Sequence, residues 1–517
     1  MNSNKYNINI KEFEELLGKD NVLIDEKDLA IFSRDIIEWE APLPLLVIKP
    51  ATTSEVSKSV QIAFKQKIHI APRGGGLSYT KGYVPNKKNT VMIDLKRLDK
   101  VLDINREDLY VTVEAGCTWK NLTDTLKPLN MRPAMTGPIS GIHSTIGGGA
   151  SQNIPGSMDA ILGMEIVLAD GRVIFTGSSS CIRSNSPFYR NYGPDLTGIF
   201  LGDTGSYGIK TKITLRIERI PEGVSFASYS FTNLKNMARA MAEVARLGVA
   251  SKTFGMDPLK NRNSTKIDFD EGIDTLKEVV KNNSSVISGL KNAFKVATAT
   301  KKNLEYTPWS LHLTVEGFDQ GSSEKAMNSV LSICEKYNGT QIEATIPLAL
   351  RARPYSIRGF LGIQGERWVP VHALFPLSRT DEVVDKVEGF FSSNKKRLEE
   401  FEITHSFISS INGSFWLLEP MFYWFDEVSE YHLQYLEKHK HKKLARSKKN
   451  LATRNEVIAL RKELSNLFFE LGSINAQIGK FYNFAESLHP ETYKVLTEFK
   501  KTLDPQNLLN PGNLGWK

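Results

Sequence analysis

Residues 71–80 read APRGGGLSYT. Three consecutive glycines follow Pro72 and Arg73, directly after a short apolar run, IHIA, at 68–71. Glycine loses more backbone freedom on folding than any other residue, so a run of three is costly. Its use is a positive φ, or the close approach of another group to the backbone. Successive N–H groups in such a loop form a nest for an anion, commonly a phosphate. A tight turn is the plainer reading of one such run.

Working outward, residues 52–66, TTSEVSKSVQIAFKQ, predict a helix. Thr52 and Glu55 have the spacing of a capping box, and Val56, Val60 and Ala63 make an apolar stripe. TVMIDL (90–95), LYVTVEAG (109–116) and GIKTKITLRI (208–217) read as strands. MEIVLADGRVIF (164–175) reads as a hairpin about Asp170-Gly171, a favoured two-residue turn. Two further glycine-rich stretches follow the first: TGPISGIHSTIGGGASQNIPG (136–156) and GDTGSYGI (202–209). The chain contains no GxxxxGK[ST], and no GxGxxG follows a strand, so neither usual nucleotide fingerprint applies. Three glycine loops bordering strands within residues 45–219 point to a long ligand threaded through one unit, and a dinucleotide fits.

The chain has 517 residues, too many for one core, which predicts two or three domains. It is 41% hydrophobic and 24% charged, as soluble globular proteins are. No apolar run reaches the ~18 residues a spanning helix needs, and the N-terminus does not read as a secretory signal. A cytoplasmic protein is the resulting expectation. Cys117, Cys181 and Cys334 are scattered singly, which argues against a disulfide framework or an iron–sulfur cluster held by this chain alone. The net charge of +8 is a modest excess, and no nucleic-acid partner is expected. It concentrates in KHKHKKLARSKK (438–449). That stretch reads as a solvated lysine-rich face, or as a foot for an anionic membrane or a redox partner.

After Pro221 the character changes. Residues 235–305 are rich in Lys, Asn and Ser, with helical stretches such as GIDTLKEVVK (272–281). PWSLHLTVEG (308–317) reads as a strand, 381–400 as a helix, and FWLLEPMFYWF (415–425) as core or pocket wall. A long helix over about 454–471 precedes SINAQIGKFY and the closing LDPQNLLNPGNLGWK.

At this point the residues carry a resemblance. PATTSEV, APRGGGLS, TIGGGASQNIPG and GSYGIKTKITLRI, in that order, together with the terminal DPQNLLNPG, are similar to the vanillyl-alcohol oxidase / p-cresol methylhydroxylase superfamily. The resemblance covers nearly all of residues 45–517. It implies an α+β fold: a PCMH-type FAD-binding domain of two α/β subdomains, and a separate α+β cap that binds substrate. The implied division is 1–220 for the FAD domain, 221–455 for the cap, and 456–517 for a segment returning to the FAD domain.

By that similarity, Pro72, Arg73, Gly74, Gly75, Gly76, Leu77 and Ser78 would cradle the FAD pyrophosphate. Pro138, Ser140, Gly141, Ser144, Thr145, Gly147, Gly148, Gly149, Ser151, Gln152, Asn153 and Gly156 would run along the pyrophosphate and flavin ring. Gly208 and Ile209 would meet the adenosine end, and Asn510 would reach the flavin from the tail.

The sequence also departs from the family. Many relatives place a flavin-linked histidine where this chain has Leu77, so that bond is excluded. RWVPVHALFPLSRTD (367–381) resembles the cap segment with a second linkage histidine, which would make His372 either that link or a noncovalent active-site histidine. Ser151 and Gln152 replace the aspartate of phenol-oxidising members. THSFISSINGSFW keeps only His405 of a metal-binding HxGDGNxH, so no catalytic metal is expected.

The implied chemistry is hydride transfer from a CH–OH carbon to flavin, with a D-2-hydroxy acid as the leading substrate. Histidine suits the removal of a hydroxyl proton near neutral pH, which makes His372 the first candidate, then Tyr482 and Lys480. A substrate carboxylate calls for an arginine fork. Arg353 and Arg379 are the candidates, among Arg351, Arg358 and Arg367 nearby. An aromatic-alcohol oxidase and a flavin subunit of a larger dehydrogenase are the alternatives. A small-molecule alcohol substrate and a homodimer are expected, with the electron acceptor open between oxygen, a quinone and a protein.

Overall fold

The computed structural model describes residues 9–154, 158–264, 307–355, 365–436, 441 and 448–516, with backbone only for 262–264. Expectations for Gly156, Arg358, the helix at 272–281 and most of 438–449 lie outside the described residues. Two compact units form. The first comprises Met1–Ile220, Val428–Leu444 and Ala476–Lys517; the second comprises Pro221–Glu427 and Ala445–Asn475.

The first unit holds two sheets. One contains β1 (Val22–Leu23), β2 (Leu46–Ile48), β3 (His69–Arg73) and β4 (Thr90–Asp94), in the order β1-β2-β4-β3. The β2–β4 and β3–β4 pairs are parallel, which requires a crossover, and the helix Thr53–Lys65 supplies it. Thr52 caps that helix by accepting from Glu55 N at 3.1 Å. Glu55 in turn accepts from Ala51 N at 2.7 Å, one residue before the expected position. Val56, Val60 and Ala63 pack into a core with Leu46, Ile48, Ile70, Val91 and Ile93. The C-terminal tail joins this sheet: Ile70 N donates to Leu508 O at 2.8 Å, and Asn510 N donates to Ile70 O at 2.7 Å.

The second sheet is antiparallel. It contains β5 (Val101–Asn105), β6 (Tyr110–Glu114), β7 (Met131–Pro133), β8 (Ile161–Val167), β9 (Val173–Phe175) and β10 (Ile209–Arg219). The β8–β9 hairpin turns at Asp170-Gly171, with Gly171 at φ +86° and Asp170 Oδ1 accepting from Arg172 N.

The second unit is built on one antiparallel sheet. Its strands are β11 (Gly223–Phe231), β12 (Ala250–Met256), β13 (Trp309–Gly317), β14 (Thr340–Ile342), β15 (Glu366–Pro370), β16 (Ala373–Pro376), β17 (Thr404–Asn412) and β18 (Phe415–Phe425). Helices Leu234–Leu247 and Gln320–Lys336 pack on one face. Ser409 Oγ meets Met241 Sδ at 3.3 Å there, and Ser225 Oγ meets Ser323 Oγ at 2.9 Å. Strand alternation therefore turns Ile408, Glu419, Met421 and Tyr423 to the opposite face.

Two boundaries differ from the sequence reading. The helix Leu451–Glu470 belongs to the second unit, where Val457, Leu460, Leu464 and Phe468 are buried and Phe468 packs edge-on to Phe375. Val428–Leu444 belongs to the first unit, because Tyr431 and Tyr435 bury their rings there, at 1% and 3% exposure. The helix expected at 381–400 is two, Thr380–Ser393 and Lys395–Glu400, separated at Asn394.

Candidate functional site

The loop after β3 answers the question its glycines raise. None of the backbone N–H groups of Gly74, Gly75, Gly76, Leu77 and Ser78 donates to an acceptor among the described residues. Five consecutive open donors are what an anion nest requires. The loop needs its glycines sterically as well. A Cβ on Gly75 would fall on the His143 carbonyl, and one on Gly74 would fall on Thr145 Oγ1. The first and second glycine loops thus pack backbone against neighbour with no room for side chains. Gly76, at φ +74°, would place a Cβ 2.6 Å from the Tyr435 hydroxyl. Arg73 lies beneath the loop at 1% exposure, its guanidinium 4.6 Å from the centre of Phe32 and 5.4 Å from that of Tyr83. Its Nη2 donates to the Tyr435 hydroxyl at 3.0 Å, while Nε and Nη1 have no partner among the described residues.

The second loop continues the same surface. Thr145 caps the short helix Ile146–Gln152 by accepting from Gly148 N. Gly147 N donates to Ala115 O at 2.8 Å, and Gly149 lies against Trp119. Ahead of them, Gly141 N donates to Pro138 O, and the Ser140 and Ser144 hydroxyls meet at 2.6 Å. Ser151 O accepts from Thr204 N and Gln152 O from Gln477 N, each at 2.8 Å. Gln152 Oε1 is buried with no partner among the described residues, and Asn153 ends the helix at φ +48°. The third loop places Gly205 against Pro72 and Gly208 against Ile166, just before Ile209 opens β10.

The tail closes the unit. Asn510 Nδ2 donates to Gly82 O and Thr204 O at 2.7 Å each. Lys480 Nζ donates to Lys81 O, Val84 O and Asn510 Oδ1 at 3.0–3.3 Å. Its ammonium is therefore engaged in holding the tail to the segment that follows the nest. Tyr482 is buried nearby in sequence, edge-on to Phe481. The nest of open N–H groups, the cationic Arg73 beneath it and the Gln152 Oε1 without a partner among the described residues suit a dinucleotide diphosphate and the polar edge of its ring. Leu77, 8% exposed, offers no nucleophile for a covalent bond.

The remaining predicted residues lie on the second unit. His372 is 2% exposed, between β15 and β16, and its carbonyl accepts from Asn475 Nδ2 at 2.8 Å. The register pairs Pro370 with Met421 and Ala373 with Leu418, and Val371 N donates to Pro420 O. His372 and Glu419 therefore lie in the same short interval between these two paired stretches. Burial pushes the Glu419 carboxyl up to about 7, and the positive charge of Lys260 offsets this only in part. Close by, the Ser406 hydroxyl donates to Asp257 Oδ1 at 2.7 Å, and burial raises both Asp257 and Tyr423. His405 faces the other way, stacked on Phe391 at 4.1 Å.

Of the candidate arginines, Arg351 pairs with Glu316, and Arg367 donates to Glu427 O. Arg379 pairs with Glu382 at 2.8 Å and also donates to Leu471 O. That committed geometry leaves Arg379 a bracket between segments rather than a fork held ready for a substrate. Arg353 is half-buried at the C-terminal end of helix Thr345–Ala352.

Comparison with known proteins agrees with this geometry. The first unit is that of a flavoprotein: residues 44–177 match the family described as FAD binding domain. Residues 441–514 match the C-terminal domain of FAD linked oxidases. Both matches are to FAD-dependent families, and FAD is the cofactor they support. It is 28% identical over 245 residues to a probable mitochondrial D-lactate dehydrogenase of Danio rerio, covering 46% of this chain and 48% of that protein. It is 30% identical over 223 residues to the flavoprotein subunit of 4-cresol dehydrogenase (hydroxylating) of Pseudomonas putida, covering 40% and 42% respectively. The chain thus matches no more than about half the length of these curated relatives. A crystal structure of p-cresol methylhydroxylase with substrate bound matches with a TM-score of 0.73 at 20% identity, over 99% of this chain and 97% of that one.

Four residues of interest escaped the sequence reading. Tyr83, Tyr431 and Tyr435 converge on the nest from segments about 350 residues apart, and no local pattern announces that. Glu419 did leave a signal: a lone carboxylate within the aromatic-rich strand FWLLEPMFYWF. A charge there must either be neutralised or serve a purpose.

Proposed function

We propose that the protein oxidises a CH–OH carbon, with a D-2-hydroxy acid as the substrate class. FAD, when bound, accepts a hydride from that carbon. His372 takes the hydroxyl proton, and Glu419, in the same interval of β18, is the second group proposed to move a proton. Arg353 is the proposed partner of the substrate carboxylate. The observation that carries the reading is the buried Glu419 carboxyl, pushed up to about 7, in the interval of β18 between the strands that flank His372, since a carboxyl titrating near neutrality is suited to moving a proton. Relatives whose names include D-lactate and D-2-hydroxyglutarate dehydrogenases support the substrate class.

A second reading is an aromatic alcohol or alkylphenol as substrate. Trp368 and Tyr423, paired across β15 and β18, favour it, together with the 4-cresol dehydrogenase relative. Anaerobic titration of the FAD-loaded protein separates the two. Bleaching of the flavin band near ~450 nm by D-lactate or longer D-2-hydroxy acids supports the first. Bleaching only by 4-hydroxybenzyl alcohols supports the second and overturns the first.

A further inference from the structure

The nest is held in shape from behind by phenols. The Gly76 carbonyl oxygen accepts from the Tyr431 hydroxyl at 2.5 Å and from the Tyr83 hydroxyl at 2.6 Å. The Tyr435 hydroxyl lies 2.9 Å from Gly75 O and 3.0 Å from Gly76 O. Arg73 Nη2 donates to that same hydroxyl, which orients its proton toward the two carbonyls. All three tyrosines are buried, at 1–6% exposure. Two of them come from Glu430–Leu436, a segment that enters the first unit between two passages through the second.

A peptide group is planar and trans, so its C=O and N–H point in opposite directions. Anchoring Gly75 O on the tyrosine side turns the Gly76 N–H away from it. Anchoring Gly76 O does the same for the Leu77 N–H. Those two N–H groups are among the five with no acceptor in the described protein. A glycine-rich loop left to itself samples flipped peptides freely, because neither sign of φ is penalised. The phenols remove that freedom, and the buried guanidinium adds positive charge beneath the same two peptides.

We infer that Tyr431 and Tyr435 are positioning residues for the FAD diphosphate: their hydroxyls preset the peptide orientations of Gly75 and Gly76, so that the nest exists before the cofactor arrives. They touch the loop and act through it. The segment that carries them thereby couples FAD retention to the path the chain takes between its two units. This rests on the FAD-binding domain and not on the choice of substrate.

The test uses the full-length protein, stripped of flavin and reloaded, as wild type, Tyr431→Phe, Tyr435→Phe and the double variant. Phenylalanine keeps the ring packing and removes only the hydroxyl. FAD affinity is read from fluorescence quenching, affinity for inorganic pyrophosphate from its competition with FAD, and fold integrity from the Tm of the apoprotein. Each single variant is expected to weaken both FAD and pyrophosphate about 3- to 10-fold, the size of one net hydrogen bond. The double variant is expected to weaken them further, with the apoprotein Tm within ~2 °C of wild type. Unchanged affinities for FAD and pyrophosphate in the double variant would overturn the inference. So would a weakening of FAD that leaves pyrophosphate untouched, or one that tracks a large fall in apoprotein Tm, since a packing role would then suffice.

Discussion

His372 and Glu419 share one two-residue interval along β18, between the pairs Pro370–Met421 and Ala373–Leu418. In sequence the two are 47 positions apart, and neither lies in a motif with the other. One is a buried imidazole; the other is a carboxyl held near neutral pKa by its surroundings.

That carboxyl makes a prediction about stability. The folded-state pKa of Glu419, about 7, lies above its ordinary 4.5, so folding disfavours the charged form. Below pH ~4.5 both states are protonated, and the group contributes no penalty. As pH rises toward 7 the unfolded chain ionises first, and the penalty grows until the folded group ionises too. Glu419→Gln should therefore be more stable than wild type at pH 8, by roughly 1–3 kcal/mol after allowance for partial exposure, and equal to it near pH 4. Urea unfolding at the two pH values measures the difference. A constant difference across pH would remove Glu419 as a titrating group.

The same pair predicts a pH–rate profile. His372→Ala should lower kcat about 10²–10⁴-fold while FAD content stays at one per chain. Glu419→Gln should have the smaller effect and should shift the profile of kcat/KM against pH. Flavin released into the supernatant on acid denaturation would mean that His372 is not a covalent link. Flavin retained in the pellet, and lost only in the His372 variant, would mean that it is.

The nest predicts a steric failure. Gly75→Ala must displace either its own loop or the His143 backbone, because the added Cβ falls on that carbonyl. Overpacking of this kind costs about 1–3 kcal/mol. The variant should bind FAD substoichiometrically, and its Tm should fall. Gly413→Ala, at a site with nothing within 4 Å, provides the contrast. Its φ of +57° makes it mildly strained, but flavin content should be normal.

A buried ion pair predicts a non-additive cycle. Lys210 and Asp203 pair with their side chains 1% and 0% exposed, and Asp203 Oδ1 also accepts from Gly205 N at 2.9 Å in the third glycine loop. Lys210→Met leaves that carboxylate without its counter-charge, at a cost of about 3–5 kcal/mol. Lys210→Met/Asp203→Asn should recover a large part of the loss, because an uncharged side chain no longer needs the ammonium. Denaturant melts of Lys210→Met, Asp203→Asn and the double variant test this. Equal destabilisation in the single and the double would mean that the carboxylate–ammonium contact is not the source.

What the sequence determined by itself was local, and it was legible for local reasons. Glycines at 74–76, 147–149 and 202–208 mark places where side chains cannot fit, the capping threonine and apolar stripe of 52–66 write a helix, and Asp170-Gly171 writes a turn. Each depends on neighbours within a few residues. The order of these pieces carries the resemblance that implied the α+β architecture and the FAD cofactor.

The tertiary structure decided what depends on residues distant in the chain. It sends Val428–Leu444 to the first unit and keeps Ala445–Asn475 in the second, because burial of Tyr431 and Tyr435 in one place and of Leu460 and Phe468 in the other outweighs chain order. It ties Lys480 to backbone carbonyls and Arg379 to Glu382, where the sequence had offered both as candidate site residues. It brings Tyr83 and Tyr435 together on the Gly76 carbonyl, and His372 and Glu419 into one interval along β18. Cross-strand register and buried hydrogen bonds are settled only when the chain has closed on itself, since each partner is then the acceptor or neighbour that burial demands.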